Sequence, residues 1–139
     1  MKTMIRVLLA SLIILEVSAC SLMPWVNKDS FRVELSVDHE ANSGTPITMI
    51  IEQPADQKSF VTETYTSLSQ HALDKGVQRY VISPKLGTRL LSINVEDSPL
   101  AVYFIFKRQP ISGWKYYIKK PKGDSLILSI NKSSAKKVN

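Results

Sequence analysis

The chain has 139 residues, with 18 Lys and Arg against 12 Asp and Glu, and a formal charge of +6 at neutral pH. At 44% hydrophobic residues it can build a packed core, which excludes wholesale disorder. A single cysteine excludes any intramolecular disulfide.

Residues 7–15, VLLASLIIL, carry no charge and follow Lys2 and Arg6, the pattern of a secretory signal. The block is too short for a membrane-spanning helix, which needs roughly 20 apolar residues. Val17-Ser18-Ala19-Cys20 matches the bacterial lipobox. Cleavage of residues 1–19 is therefore expected to leave Cys20 as a lipidated N-terminus, diacylglycerol on its sulfur and an acyl chain on its amine. Ser21, where an Asp would resemble an inner-membrane retention signal, favours the outer membrane of a Gram-negative cell. The mature chain is then one domain. Residues 20–30 read as a tether in which Pro24 discourages helix and Trp25 either rests in the lipid headgroup zone or caps the core, the core being favoured.

From Phe31 the pattern turns to period two. Phe31, Val33, Leu35 and Val37 alternate with Arg32, Glu34 and Ser36, which predicts a half-buried strand. Asp38–Pro46 (DHEANSGTP) is a connection by composition, and Ile47–Gln53 (ITMIIEQ) is a second strand suited to burial on both faces. The two strands read as a hairpin-like unit whose loop exceeds the usual two to five or so residues, which makes that loop a candidate for contact work. Gln57–Leu73 spaces Phe60, Thr64, Tyr65, Leu68, Ala72 and Leu73 at three and four residues, predicting one or two short helices that close at Gly76. Strands follow at Gln78–Ile82, Thr88–Val95, Leu100–Lys107, Trp114–Lys119 and Ser125–Asn131, separated by Pro- and Gly-bearing turns. Leu100–Lys107 (LAVYFIFK) is the most apolar and should be central. Residues 31–132 thus form an all-β sandwich or barrel with a helical insertion after the second strand, and 133–139 a basic tail that frays.

No pattern of catalytic residues is present: no GxSxG, HExxH, phosphate-binding glycine loop or paired zinc cysteines. The chain does not read as an enzyme, and no metal or cofactor is expected. Asp38-His39-Glu40 offers three ligand types side by side, but adjacent residues of an extended stretch point apart, so solvated loop residues are the better reading. Lys115, Lys119, Lys120 and Lys122 surround Tyr116 and Tyr117, a pattern that can serve single-stranded nucleic acid. Export removes that partner, leaving anionic headgroups, an acidic protein face or a solvated rim. A glycan or small-ligand site would draw on Trp25, Trp114, Tyr116 and Tyr117. A pilotin-type chaperone for a secretin and an unrecognised hydrolase are the other rivals.

Gly44-Thr45-Pro46-Ile47-Thr48-Met49-Ile50-Ile51-Glu52-Gln53, followed by Phe60, Tyr65 and Leu68, resembles the TssJ family of outer-membrane lipoproteins of type VI secretion systems. The Pro84-Lys85 turn, the Val102–Phe106 strand and Trp114 are similar as well, while Pro54 departs from the family pattern. The resemblance covers roughly residues 31–130 together with the lipobox. It implies a transthyretin-like two-sheet sandwich, lipid-anchored and facing the periplasm, that binds the periplasmic domain of a TssM-type inner-membrane protein. In that family the loop joining the first two strands takes part in the contact. The matching positions here make His39, Glu40, Asn42 and Ser43 the expected partner-facing residues.

Overall fold

The computed structural model describes residues 29–74 and 76–138. The signal peptide, Cys20 and the tether up to residue 28, Trp25 included, lie outside the described residues. In chain order the elements are β1 (Ser30–Val37), β2 (Ile47–Glu52), α1 (Gln57–Thr62), α2 (Tyr65–His71), β3 (Gln78–Ile82), β4 (Arg89–Asn94), β5 (Leu100–Ile105), β6 (Lys115–Ile118), β7 (Ser125–Ile130) and β8 (Ala135–Lys137). Single 3-10 turns stand at Ala41–Gly44 and Pro84–Leu86.

The strands form two four-stranded sheets, ordered β4-β1-β7-β8 and β3-β2-β5-β6. In the first, β1 runs parallel to β7, with Val33 opposite Leu126 and Val37 opposite Ile130. Its other neighbour, β4, is antiparallel. The outward residues Arg32, Glu34 and Ser36 of β1, and Ser125, Ile127 and Ser129 of β7, are exposed. One dry face and one wet face is the physical reason these strands alternate so cleanly.

In the second sheet the central strands β2 and β5 are covered on both faces and largely apolar, with Thr48 and Glu52 the polar residues of β2. Ile47, Met49, Ile51, Val102 and Phe104 pack against the first sheet, while Ile50, Ala101 and Tyr103 face the helical insert. Each fully buried side chain of this size stabilises the fold by roughly 1.5–3 kcal/mol. Helices of six and seven residues are too short to persist on propensity alone. Here Leu68 and Ala72, with Phe60 and Tyr65 partly buried beside them, dock on Tyr103 and Trp114. Asp56 and Thr64 cap the two N-termini by accepting from the Ser59 and Ser67 N–H groups at 2.7 and 3.1 Å. The hydrogen bonds from Ser59 hold the Asp56 carboxyl below its ordinary range.

Lys115 closes the other end of α1. Its Nζ donates to the carbonyls of Phe60, Val61 and Glu63 at 3.0–3.1 Å, and sits 5.1 Å from the Phe60 ring and 5.2 Å from that of Trp114. A cation at orphaned C-terminal carbonyls is favoured by the helix dipole as well as by the hydrogen bonds. Tyr65 adds a second tie, its hydroxyl donating to the Phe106 carbonyl at 2.8 Å.

Two sequence expectations are corrected. β1 and β2 are not a hairpin, since they belong to different sheets. The long Asp38–Pro46 segment bridges two layers spaced about 10 Å apart, and that crossing accounts for its length. Nor is the C-terminal segment a frayed tail. β8 pairs antiparallel with β7, Ala135 is fully buried, and the Ala135 N–H donates to the Gly113 carbonyl at 2.8 Å.

Candidate docking site

The strand registers sort the loops between the two ends of the sandwich. Ile47 lies opposite Ile82, Thr48 opposite Ile105, Leu35 opposite Arg89, and Val37 opposite Ile130. The segments 38–46, 83–88, 106–114 and 131–134 therefore share one end, the tip. The chain enters the sandwich at the other end, where the Asp29 carbonyl accepts from the Val95 N–H at 3.0 Å and Lys122 lies 3.4 Å from the Asp29 carboxylate. Eight residues of β1 separate the two ends, about 26 Å at strand rise.

Of the four residues expected to face a partner, His39, Glu40 and Ser43 are exposed at the tip. With Gly44 and Lys132 they line a shallow depression of about 360 Å³. Asn42 is corrected: it is only 5% exposed and points inward. Its Nδ2 donates to the carbonyls of Pro46 at 2.9 Å and Thr45 at 3.3 Å, while its Oδ1 accepts from the Lys107 N–H at 2.7 Å. Its own N–H donates to the Lys132 carbonyl at 3.1 Å. One residue, through its side chain and its backbone N–H, thus ties three loops together. The backbone there is left-handed, with φ of 52° at Asn42, 57° at Ser43 and 74° at Gly44. Asn tolerates that region better than most residues and Gly does so freely, which is why this sequence can form the turn.

A second depression, of about 300 Å³, shares Ser43 and Lys132 with the first and adds Lys107, Arg108 and Ser133. Lys107, Arg108 and Lys132 are exposed, and among the described residues no ion pair engages them. Sequence reasoning did not gather these three at the tip, because residues 107–108 follow β5 and residue 132 follows β7. Only the sheet order brings the two turns together. The arrangement can hold an acidic, extended surface by charge and by the polar groups of His39 and Ser43.

Of the aromatic side chains that a glycan site would need, Trp114, Tyr116 and Tyr117 are engaged elsewhere. Trp114 is buried with its ring 5.3 Å from Tyr65, Tyr117 lies 5.3 Å from Phe60, and the Tyr116 hydroxyl donates to the Ala135 carbonyl. The cleft of about 540 Å³ at the entry end is lined by Ile51, Glu52, Val77, Asn94, Glu96, Leu100 and neighbours, with no aromatic residue among them. No helix among the described residues is long and apolar enough to cross a membrane.

A family model of the IglE N-terminal domain matches residues 48–130, from β2 to the end of β7. No curated protein matches the chain. Among solved structures it is similar to the T6SS lipoprotein TssJ1 from Pseudomonas aeruginosa, with a TM-score of 0.62 and 13% identity over 78% of this chain and 94% of that one. It is similar to Serratia marcescens Lip, a membrane-bound component of the Type VI Secretion System, with a TM-score of 0.65 and 12% identity over 80% and 96% of the two chains. A chain in the structure of the T6SS protein TssM C-terminal domain (869-1107) from EAEC gives 0.64 and 11% over 79% and 98%. At these identities the likeness is one of fold, an all-β sandwich shared with TssJ and Lip. Of the tip, the family match includes residues 83–88 and 106–114 and leaves out 38–46 and 131–134.

Proposed function

The chain belongs to the family of the IglE N-terminal domain, and from that membership and its TssJ-like fold we propose that it is a lipid-anchored component of a type VI secretion membrane complex. In this reading acyl chains on Cys20 hold it to the inner leaflet of the outer membrane. The sandwich then docks the periplasmic domain of a TssM-type inner-membrane protein, and its role is associative rather than catalytic. The observation that carries the reading is the polarity of the molecule. The chain enters the sandwich at one end, and the cross-braced, basic tip stands at the other. A tether at the entry end would leave the tip facing away from the membrane, where an envelope-spanning partner could reach it.

The partner surface that fits is acidic, because Lys107, Arg108 and Lys132 outnumber the acidic Asp38 and Glu40 beside them. Reversing the three cations together to Glu is expected to weaken binding of the partner's isolated periplasmic domain by tenfold or more. Wild-type affinity should fall as salt is raised, and the variant's should not follow it. Biolayer interferometry from low to physiological salt reads both. Because the three side chains are exposed and the Lys107 and Lys132 contacts to Asn42 are made by backbone atoms, the variant should melt like wild type. Undiminished binding by the reversed variant would remove the tip from the interface, and no binding by wild type would remove the partner.

Cys20→Ser is expected to move the protein from the membrane fraction to the soluble one while leaving partner binding in solution intact. Fatty-acid labelling followed by fractionation measures the first, and the same interferometry the second. Membrane retention of an unlabelled Cys20→Ser protein would show that another feature anchors the chain.

A further inference from the structure

Beneath the helical insert, away from the tip, three side chains converge that the docking role does not use. Glu52 ends β2, Glu63 caps the C-terminus of α1, and His71 ends α2. His71 Nε2 lies 3.6 Å from Glu52 Oε2 and 4.0 Å from Glu63 Oε2, and the three ligand atoms lie within 4.8 Å of one another. The side chains of His71, Glu52 and Glu63 are only 27, 19 and 15% exposed.

These separations are too long for hydrogen bonds, which for N–H···O run about 2.7–3.2 Å. The shorter matches, and the longer exceeds by 0.4 Å or so, the spacing of neighbouring donors around a small ion, because bonds of about 2.0–2.2 Å in tetrahedral geometry put donors roughly 3.3–3.6 Å apart. An ion pair alone would use the cluster poorly. Both carboxylates face the same nitrogen, and one Nε2 proton can point at only one of them.

A further observation points to a cation at this place. Glu63 Oε1 is buried with no hydrogen-bond partner, so a carboxylate oxygen stands desolvated without compensation.

We propose that Glu52, Glu63 and His71 bind a divalent transition-metal ion, zinc suiting this nitrogen-and-oxygen set best, with water completing the coordination. The ligands come from a strand and from both helical segments of the insert. Binding would therefore clamp the insert to the second sheet, and the site is a structural clasp rather than a reaction centre. Calcium and magnesium suit the site less well, since they favour all-oxygen shells and higher coordination.

The test uses the full chain stripped with EDTA and titrated with zinc chloride by calorimetry and thermal melting. One zinc per chain is expected, with a melting temperature raised on the order of 10 °C at a hundredfold excess over Kd. Magnesium should leave the melting temperature unchanged. His71→Ala and Glu63→Gln should each lose at least about tenfold in affinity and most of the zinc-dependent shift, whereas His39→Ala should keep both. If either variant fails to fold by circular dichroism, Glu52→Gln with metal content measured by mass spectrometry replaces it. A wild-type chain that takes up no zinc, or a zinc shift that survives in His71→Ala, would overturn the assignment.

Discussion

Gly113→Ala is expected to destabilise the sandwich by about 3–5 kcal/mol, lowering its melting temperature by roughly 10–20 °C. Gly113 sits at φ 74°, in the left-handed region, where a Cβ alone costs about 1–2 kcal/mol. The larger part is steric. A Cβ built on Gly113 would run into the carbonyl oxygen of Ala135, a backbone atom that cannot rotate away. Relieving the collision means moving β8, and β8 is held from several sides. The Ala135 N–H donates to the Gly113 carbonyl, the Tyr116 hydroxyl donates to the Ala135 carbonyl, and Val138 N–H donates to Ile127 at 3.0 Å. Gly44→Ala separates the two contributions. It shares a left-handed φ of 74°, but a Cβ there meets nothing within 4 Å, so its cost should be near 1 kcal/mol. Chemical denaturation of both variants measures the gap. Equal losses would show that β8 yields freely and does not brace the edge of the sheet.

That bracing was the part of the fold least legible in the sequence. The alternation of Phe31–Val37 and the apolar runs Met49–Ile51 and Leu100–Ile105 report a physical difference between one-sided and two-sided burial, so β1, β2 and β5 could be read directly. Ala-Lys-Lys carries no such report. A three-residue strand with one buried side chain, and that the smallest, has no period to detect, and besides its pairing with β7 it is held by Gly113 and Tyr116 some twenty residues upstream. The sheet partition was illegible for a related reason. Side-chain alternation tells which face of a strand is dry but not which strand lies beside it, so β1 and β2 looked like a hairpin although they stand in opposite layers. The tip follows from that partition: exposure of His39, Glu40 and Ser43 could be anticipated from loop composition, whereas the cluster of Lys107, Arg108 and Lys132 exists only once β5 and β7 are placed.

Asn42 is the sharpest case, because composition makes a polar loop residue look like a contact residue and the structure makes it a brace. Asn42→Ala should destabilise the protein by about 3–4 kcal/mol. It removes three side-chain hydrogen bonds worth about 1 kcal/mol each, leaves the Lys107 N–H without its acceptor, and places a Cβ-only residue at φ 52°. Asn42→Gly should recover about 1 kcal/mol of this by relieving the backbone alone. Asn42→Asp keeps an acceptor for Lys107 but turns a carboxylate oxygen toward the Thr45 and Pro46 carbonyls, so it should not rescue. The expected order of stability is therefore Asn, Gly, Ala by denaturation, with amide exchange quickening first at residues 38–46, at Lys107 and around Lys132. Partner affinity should fall in the same order although the side chain never reaches the surface, because the geometry of the cations depends on it. An Asn42→Ala protein as stable as wild type but unable to bind would reverse the assignment and return Asn42 to the interface.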